Sequence, residues 1–158
     1  MMFNPSKERI VIGSPIKGKA IDLKKVADPV FADKIIGDGI AVIPEGNLVC
    51  APCDGKITQI FHTNHAFYVQ HKSGLEILIH VGLDTVELKG QGFKRLKQVG
   101  DSVSMGDPIM EVDFSYIQSK GKEEVTPILV TNMERVEKIV AMTGSVNTSD
   151  RIMSITLK

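Results

Sequence analysis

The chain has 158 residues and a mass of 17.3 kDa, the size of one domain, and its 42% hydrophobic content suffices for a buried core, which excludes wholesale disorder. Its 19 basic and 19 acidic residues cancel and no run of Lys/Arg occurs, which argues against a dedicated nucleic-acid binder. No segment approaches the ~18 consecutive apolar residues that span a bilayer, and the start, Met1 to Arg9, lacks the apolar stretch of a signal peptide. A cytoplasmic protein is therefore expected, with Cys50 and Cys53 as reduced thiols.

In chain order, residues 1–9 are polar and read as a loose tail, with residues 10–158 as one domain. Ile10-Val11-Ile12 opens the first strand. Residues 30–36 weakly suggest a short helix. Gly39 to Ile43 and Leu48-Val49-Cys50 read as two strands around a turn at Pro44-Glu45-Gly46-Asn47, and Lys56 to Phe61 as another. Ala66 to Gln70 and Leu75 to His80 look like the arms of a hairpin around Lys72-Ser73-Gly74. Ser115 reads as the cap of a helix that stops near Gly121. Asn132 reads as the cap of a second one, Met133 to Met142, because Met133, Val136, Ile139 and Val140 fall on one helical face. Arg151 to Leu157 is the last strand.

The chain holds 18 Ile and 16 Val against 9 Leu, which favours strands over helices. An echo, Ser14-Pro15-Ile16-Lys17-Gly18-Lys19 against Ala51-Pro52-Cys53-Asp54-Gly55-Lys56, suggests a duplicated unit. The expected fold is all-β: an antiparallel sandwich or barrel-sandwich with a duplicated hairpin motif and two or three short helices.

The chemistry lies with the histidines. If Lys72-Ser73 form a two-residue turn, or His71 to Gly74 a four-residue loop, His65 falls directly opposite His80, with Cβ atoms ~4.5–5.5 Å apart. A loop of three or five residues would send the two imidazoles to opposite faces. Facing neutral imidazoles can bind a metal, relay a proton, or divide the work of group transfer, one as nucleophile and one steadying the attacked group. His62 and His71 read as surface residues. Cys50-Ala51-Pro52-Cys53 is a CxxC without the βαβ context of a redox motif or a second CxxC for zinc, and reads as small buried residues.

The segments Thr63-Asn64-His65-Ala66-Phe67, His80 to Phe93, Asp28 to Ala41 and Thr126 to Met133 closely resemble the glucose-type IIA domain of the bacterial phosphoenolpyruvate-dependent sugar phosphotransferase system. The resemblance runs from about residue 9 to the C-terminus. It implies a phosphotransferase that forms a phosphohistidine. By this resemblance His80 is expected to take a phosphoryl group from HPr and pass it to the IIB domain of a sugar permease, for sugar uptake with phosphorylation. It further implies that the Gly82 carbonyl fixes the His80 tautomer, that His65 supports the phosphoryl group, and that Thr63 orients His65. Val30, Phe31, Ile35, Ile36, Phe61 and Leu78 correspond to an apolar docking patch, and Asp28 and Asp84 to acidic contacts for an HPr arginine. No cofactor is required. Zinc between His65, His80 and a partner carboxylate is known for some regulatory contacts of the family. The amphipathic N-terminal membrane segment of enteric members is missing, so no direct membrane insertion is expected. Two other classes compete on the same β-scaffold. A zinc-dependent hydrolase would need the His-x-His signature of lysostaphin-type peptidases, which is missing; a non-catalytic regulatory binding module would use the histidines only to anchor partners.

Overall fold

A computed structural model describes residues 7–158. Of the expected tail, residues 1–6 lie outside the described residues; Lys7 and Glu8 are exposed coil and Arg9 already opens a strand. The strands run, in order, β1 (Arg9–Gly13), β2 (Gly18–Asp22), β3 (Asp38–Pro44), β4 (Leu48–Cys50) and β5 (Gly55–Ile60). They continue with β6 (Ala66–Gln70), β7 (Glu76–His80), β8 (Phe93–Arg95), β9 (Ser102–Val103) and β10 (Pro108–Val112). The last four are β11 (Thr126–Val130), β12 (Val136–Ala141), β13 (Gly144–Val146) and β14 (Arg151–Leu157). Two short helices, α1 (Pro29–Ala32) and α2 (Phe114–Ser119), and three 3-10 turns complete the described chain. The all-β expectation stands.

An eight-stranded sheet, β13-β2-β3-β11-β7-β6-β5-β9, packs against two three-stranded sheets, β1-β14-β12 and β4-β10-β8, and every pairing is antiparallel. Alternation along the central strands decides which face of the large sheet is which. Ile40 and Val42, Phe67 and Val69, Ile77 and Ile79, and Ile128 and Val130 point into the main core. Their neighbours Ala41, Ala66, Leu78 and Leu129 point the other way, into a second, smaller cluster roofed by Leu23, Val26, Phe31, Leu83 and Val125. His80 follows Leu78 by two residues, so it emerges at the margin of that outer cluster.

The echo is structural. Gly13 N donates to Pro52 O (2.8 Å) and Cys50 N to Pro15 O (2.7 Å), a reciprocal pair in which each residue has its counterpart in the other copy. Ser14 N then donates to Asp150 O and Ala51 N to Asp107 O, and each of these aspartates accepts a 2.8 Å bond within its own turn, from Asn147 N and Ser104 N. The duplicated units therefore meet at the centre of the sandwich, each continuing into a strand of the large sheet, β2 and β5.

Two helix expectations change. Helix α2 is capped by Asp113, which accepts from Tyr116 N at 3.0 Å, and not by Ser115. Residues 133–142 are no helix. Met133–Arg135 form a 3-10 turn and Val136–Ala141 are β12, with Ile139 paired to Ile155 and Val140 to Ser154. Three β-branched residues suit both a helical stripe and a strand, and the open edge of β14 decides for the strand. Asn132 makes no side-chain cap bond to that turn. Its side chain accepts from Glu76 N (2.9 Å) and donates to Gly74 O (2.8 Å), clamping the loop between β6 and β7. Asn132→Ala is expected to cost about 1–3 kcal/mol, read as a lower urea midpoint at unchanged slope; an unaltered midpoint would show that the clamp does not matter.

Candidate active site

His80 ends β7, and the chain leaves the sheet through Val81-Gly82-Leu83. Gly82 sits at φ +75°, where a Cβ would lie 2.6 Å from Thr85 Cγ2 and 2.8 Å from Glu123 O, so only glycine fits. In this conformation the Gly82 carbonyl lies 2.7 Å from His80 Nδ1. A carbonyl can only accept, so Nδ1 carries the proton and Nε2 is left bare. The loop is anchored by the Thr85 hydroxyl donating to Val81 O and by Leu83 N donating to Glu123 O.

The expected register does not hold. β6 and β7 are joined by a five-residue loop and pair Ala66 with His80, Phe67 with Ile79 and Val69 with Ile77. This register matches apolar residues across the core face, which is the stronger constraint. His65 nevertheless meets His80, because His65 lies outside the pleat. Phe61 to Asn64 form a turn closed by Asn64 N donating to Phe61 O (2.7 Å), with Asn64 at φ +63°. His65 sits at the bend that follows, and Val81 N donates to its carbonyl at 2.7 Å. The turn, not strand alternation, aims its ring.

The rings of His65 and His80 stand 4.9 Å apart between centroids and nearly perpendicular, at 80°. Phe31 packs on His80 at 4.8 Å and Phe61 meets His65 edge-on at 5.3 Å. Thr63 Oγ1 lies 2.6 Å from His65 Nδ1. Burial first, then the neighbouring His80 and His62, hold the His65 imidazole down at about 4. Burial also lowers His80, while the Gly82 carbonyl, Asp28 and Asp84 pull the other way. Both rings are therefore neutral at neutral pH. Stability follows with a definite sign. Between the ordinary value of 6.5 and about 4, unfolded His65 binds a proton that folded His65 refuses, so acidification through this window destabilises the fold, by at most roughly 3 kcal/mol. Urea unfolding at pH 7 and pH 5 is expected to show a smaller acid loss for His65→Gln than for the native chain; equal losses would contradict a buried neutral His65.

The expected docking residues divide in two. Val30 (38% exposed), Ile35 (70%) and Ile36 lie at the surface, and Phe61 is half-buried over His65. Phe31 and Leu78 are buried in the outer cluster, beneath the site. Asp84 is exposed; Asp28 caps α1 by accepting from Val30 N at 3.0 Å.

The family model for the phosphoenolpyruvate-dependent sugar phosphotransferase system, EIIA 1, matches residues 10–136. The chain belongs to this family. It is 44% identical over 144 residues to the PTS system glucose-specific EIIA component of Haemophilus influenzae, covering 91% of this chain and 87% of that one. The glucose-specific EIIA component of Bacillus cereus is 41% identical over 155 residues, covering 97% and 93%. The solved glucose permease IIA from Mycoplasma capricolum superposes with a TM-score of 0.87 at 36% identity, covering 98% of this chain and 99% of that one. Membership together with these relatives supports a phosphocarrier for glucose-type sugar uptake, the activity expected from the sequence.

The other histidines of this EIIA chain stand apart from the pair: His62 is exposed, and His71 is half-buried with Nδ1 accepting from Ser73 N at 3.0 Å. Cys50 and Cys53 are buried free thiols, both pushed up by burial, Cys53 to about 12, which makes them inert packing groups. Among the described residues no helix is long and apolar enough to cross a membrane. Sequence reasoning missed Arg95. Its guanidinium reaches from β8 to the turn that carries His65, and nothing in Phe93-Lys94-Arg95 announces this.

Proposed function

We propose that His80 accepts the phosphoryl group and that His65 stabilises it on arrival and departure. One observation carries this: two neutral imidazoles 4.9 Å apart, each with Nδ1 already engaged. With Nδ1 occupied, Nε2 is the nitrogen left for chemistry on both rings. The Nε2 lone pair of His80 attacks the phosphorus of the phosphohistidine on HPr; the donor P–N bond breaks and its electron pair stays with the donor nitrogen. The His80 ring becomes positively charged, and its Nδ1–H shares that charge with the Gly82 carbonyl. A cysteine thiolate of the IIB domain of a glucose-type permease then attacks the same phosphorus. The S–P bond forms, the N–P bond breaks, and the pair returns to Nε2. No proton need leave Nδ1 in either step.

If the Thr63 hydroxyl donates to His65 Nδ1, His65 carries its proton on Nε2 and donates to the phosphoryl oxygens. Thr63 is thus a positioning residue. Val30, Ile35 and Ile36 form an apolar rim for HPr and IIB, with Asp28 and Asp84 as acidic contacts for a basic partner. Phe31 and Leu78 support the site from below. Zinc is not needed for transfer. Two imidazoles supply half of a tetrahedral zinc shell, and among the described residues no cluster of three or more His, Cys, Asp or Glu would hold a metal; zinc bound through His65 and His80 would complete its shell from a regulatory partner.

Incubation with phosphoenolpyruvate, enzyme I and HPr is expected to add one acid-labile phosphate. His65→Gln is expected to accept it but to pass it to IIB about 10²-fold more slowly or worse. Transfer from His65→Gln at the native rate would remove His65 from the mechanism, and failure of the native chain to take up phosphate would remove the whole reading.

A further inference from the structure

We infer that Arg95 is a positioning residue for His65, acting through the turn at Phe61 to Asn64. The inference rests on the role proposed for His65 and adds what holds that ring in place. Arg95 ends β8, which pairs with β10 in a three-stranded sheet, whereas the turn belongs to the eight-stranded sheet. Its guanidinium bridges the two. Nε donates to Asn64 Oδ1 and Nη2 donates to Phe61 O at 3.2 Å.

Both acceptors matter for the imidazole. Phe61 O is also the acceptor that closes the turn, from Asn64 N, and the Phe61 ring lies edge-on against His65. Asn64 holds φ +63°, a left-handed conformation that asparagine tolerates better than other non-glycine residues and that its bond to Arg95 helps to hold. The next residue is His65, which is 4% exposed and set at a bend where strand pairing no longer dictates direction. The planar fork of Arg95 thus fixes two points of the turn at once, a geometry that the single ammonium of lysine does not reproduce. Loosening the turn lets the His65 ring swing and lets water reach it. The Thr63 contact at His65 Nδ1 and the approach to His80 both depend on that ring staying still.

The test uses the full chain and reads the imidazoles by 15N NMR in the unphosphorylated protein, so it does not depend on phosphoryl transfer. Native His65 is expected as one neutral tautomer down to about pH 4. In Arg95→Met its titration is expected to move toward 6.5 with mixed tautomers, while the Nδ1–H of His80 stays on Gly82. Arg95→Lys should restore the native state only in part. Transfer from the phosphorylated chain to IIB should fall about 10-fold, with uptake from HPr changed less, and Arg95→Met should add nothing in a His65→Gln background. Asn64→Gly tolerates the positive φ but deletes the Nε acceptor, so it tests the link without strain and should shift His65 in the same direction. A His65 titration unchanged in both Arg95→Met and Asn64→Gly would overturn the inference, as would a transfer loss that persists undiminished without His65. If the His65 signals shift as expected but no phosphate is ever taken up, the positioning role stands and the phosphocarrier reading fails.

Discussion

His80→Gln is expected to take up no phosphate from HPr. Glutamine matches histidine roughly in size and keeps a polar end, but its amide nitrogen has no available lone pair, so the nucleophile is lost while the site keeps its shape. The structural cost is small by comparison. His80 is half-buried at the end of β7, and its one strong tie is the 2.7 Å bond to Gly82 O, worth about 1 kcal/mol net. A folded but unlabelled variant is therefore the expected outcome, with thermal unfolding near native and phosphate incorporation at background. Labelling of the variant at the native rate would assign the acceptor role to some other residue.

Gly82→Ala is expected to damage both stability and transfer. At φ +75° the new methyl would lie 2.6 Å from Thr85 Cγ2 and 2.8 Å from Glu123 O, so the loop must move as well as adopt a strained backbone. Strain and overpacking together cost about 2–4 kcal/mol. The chemical effect is separable. When the loop shifts, the carbonyl leaves Nδ1 of His80, the tautomer is no longer fixed, and the bare nitrogen is no longer always Nε2. A displacement of about 1 Å is enough for roughly a 10²-fold loss of transfer, measured at a temperature where the variant is still folded. Native transfer by folded Gly82→Ala would show that the carbonyl does not control the tautomer.

How far the sequence led differs from place to place. β-branched runs separated by Gly and Pro marked seven of the fourteen described strands, because a strand buried on one or both faces leaves that pattern locally. The echo marked the duplication, and the reciprocal bonds between Gly13 and Pro52 and between Cys50 and Pro15 give its physical meaning. The misread region, 133–142, carries an apolar spacing that a helix and an edge strand share, and only the position of β14 separates them. The histidine pair is instructive for a different reason. The register that was to align His65 with His80 is off by one residue, yet the rings meet, since the turn ending at Asn64 takes His65 out of the alternation. The family motif held the correct pairing where periodicity did not. Arg95 was illegible altogether: a charged residue bracing a turn 31 positions away has no local signature. Phe31 and Leu78 belonged to the expected docking patch, but only the fold separates residues that line the site from those that support it.

The most direct measurement is NMR of the phosphorylated native chain, with 31P and 15N detection at the imidazoles. A single phosphoryl group on Nε2 of His80 is expected, with the proton retained on Nδ1 against Gly82 and His65 unmodified. Phosphate on Nδ1 of His80, or on His65, would contradict this assignment.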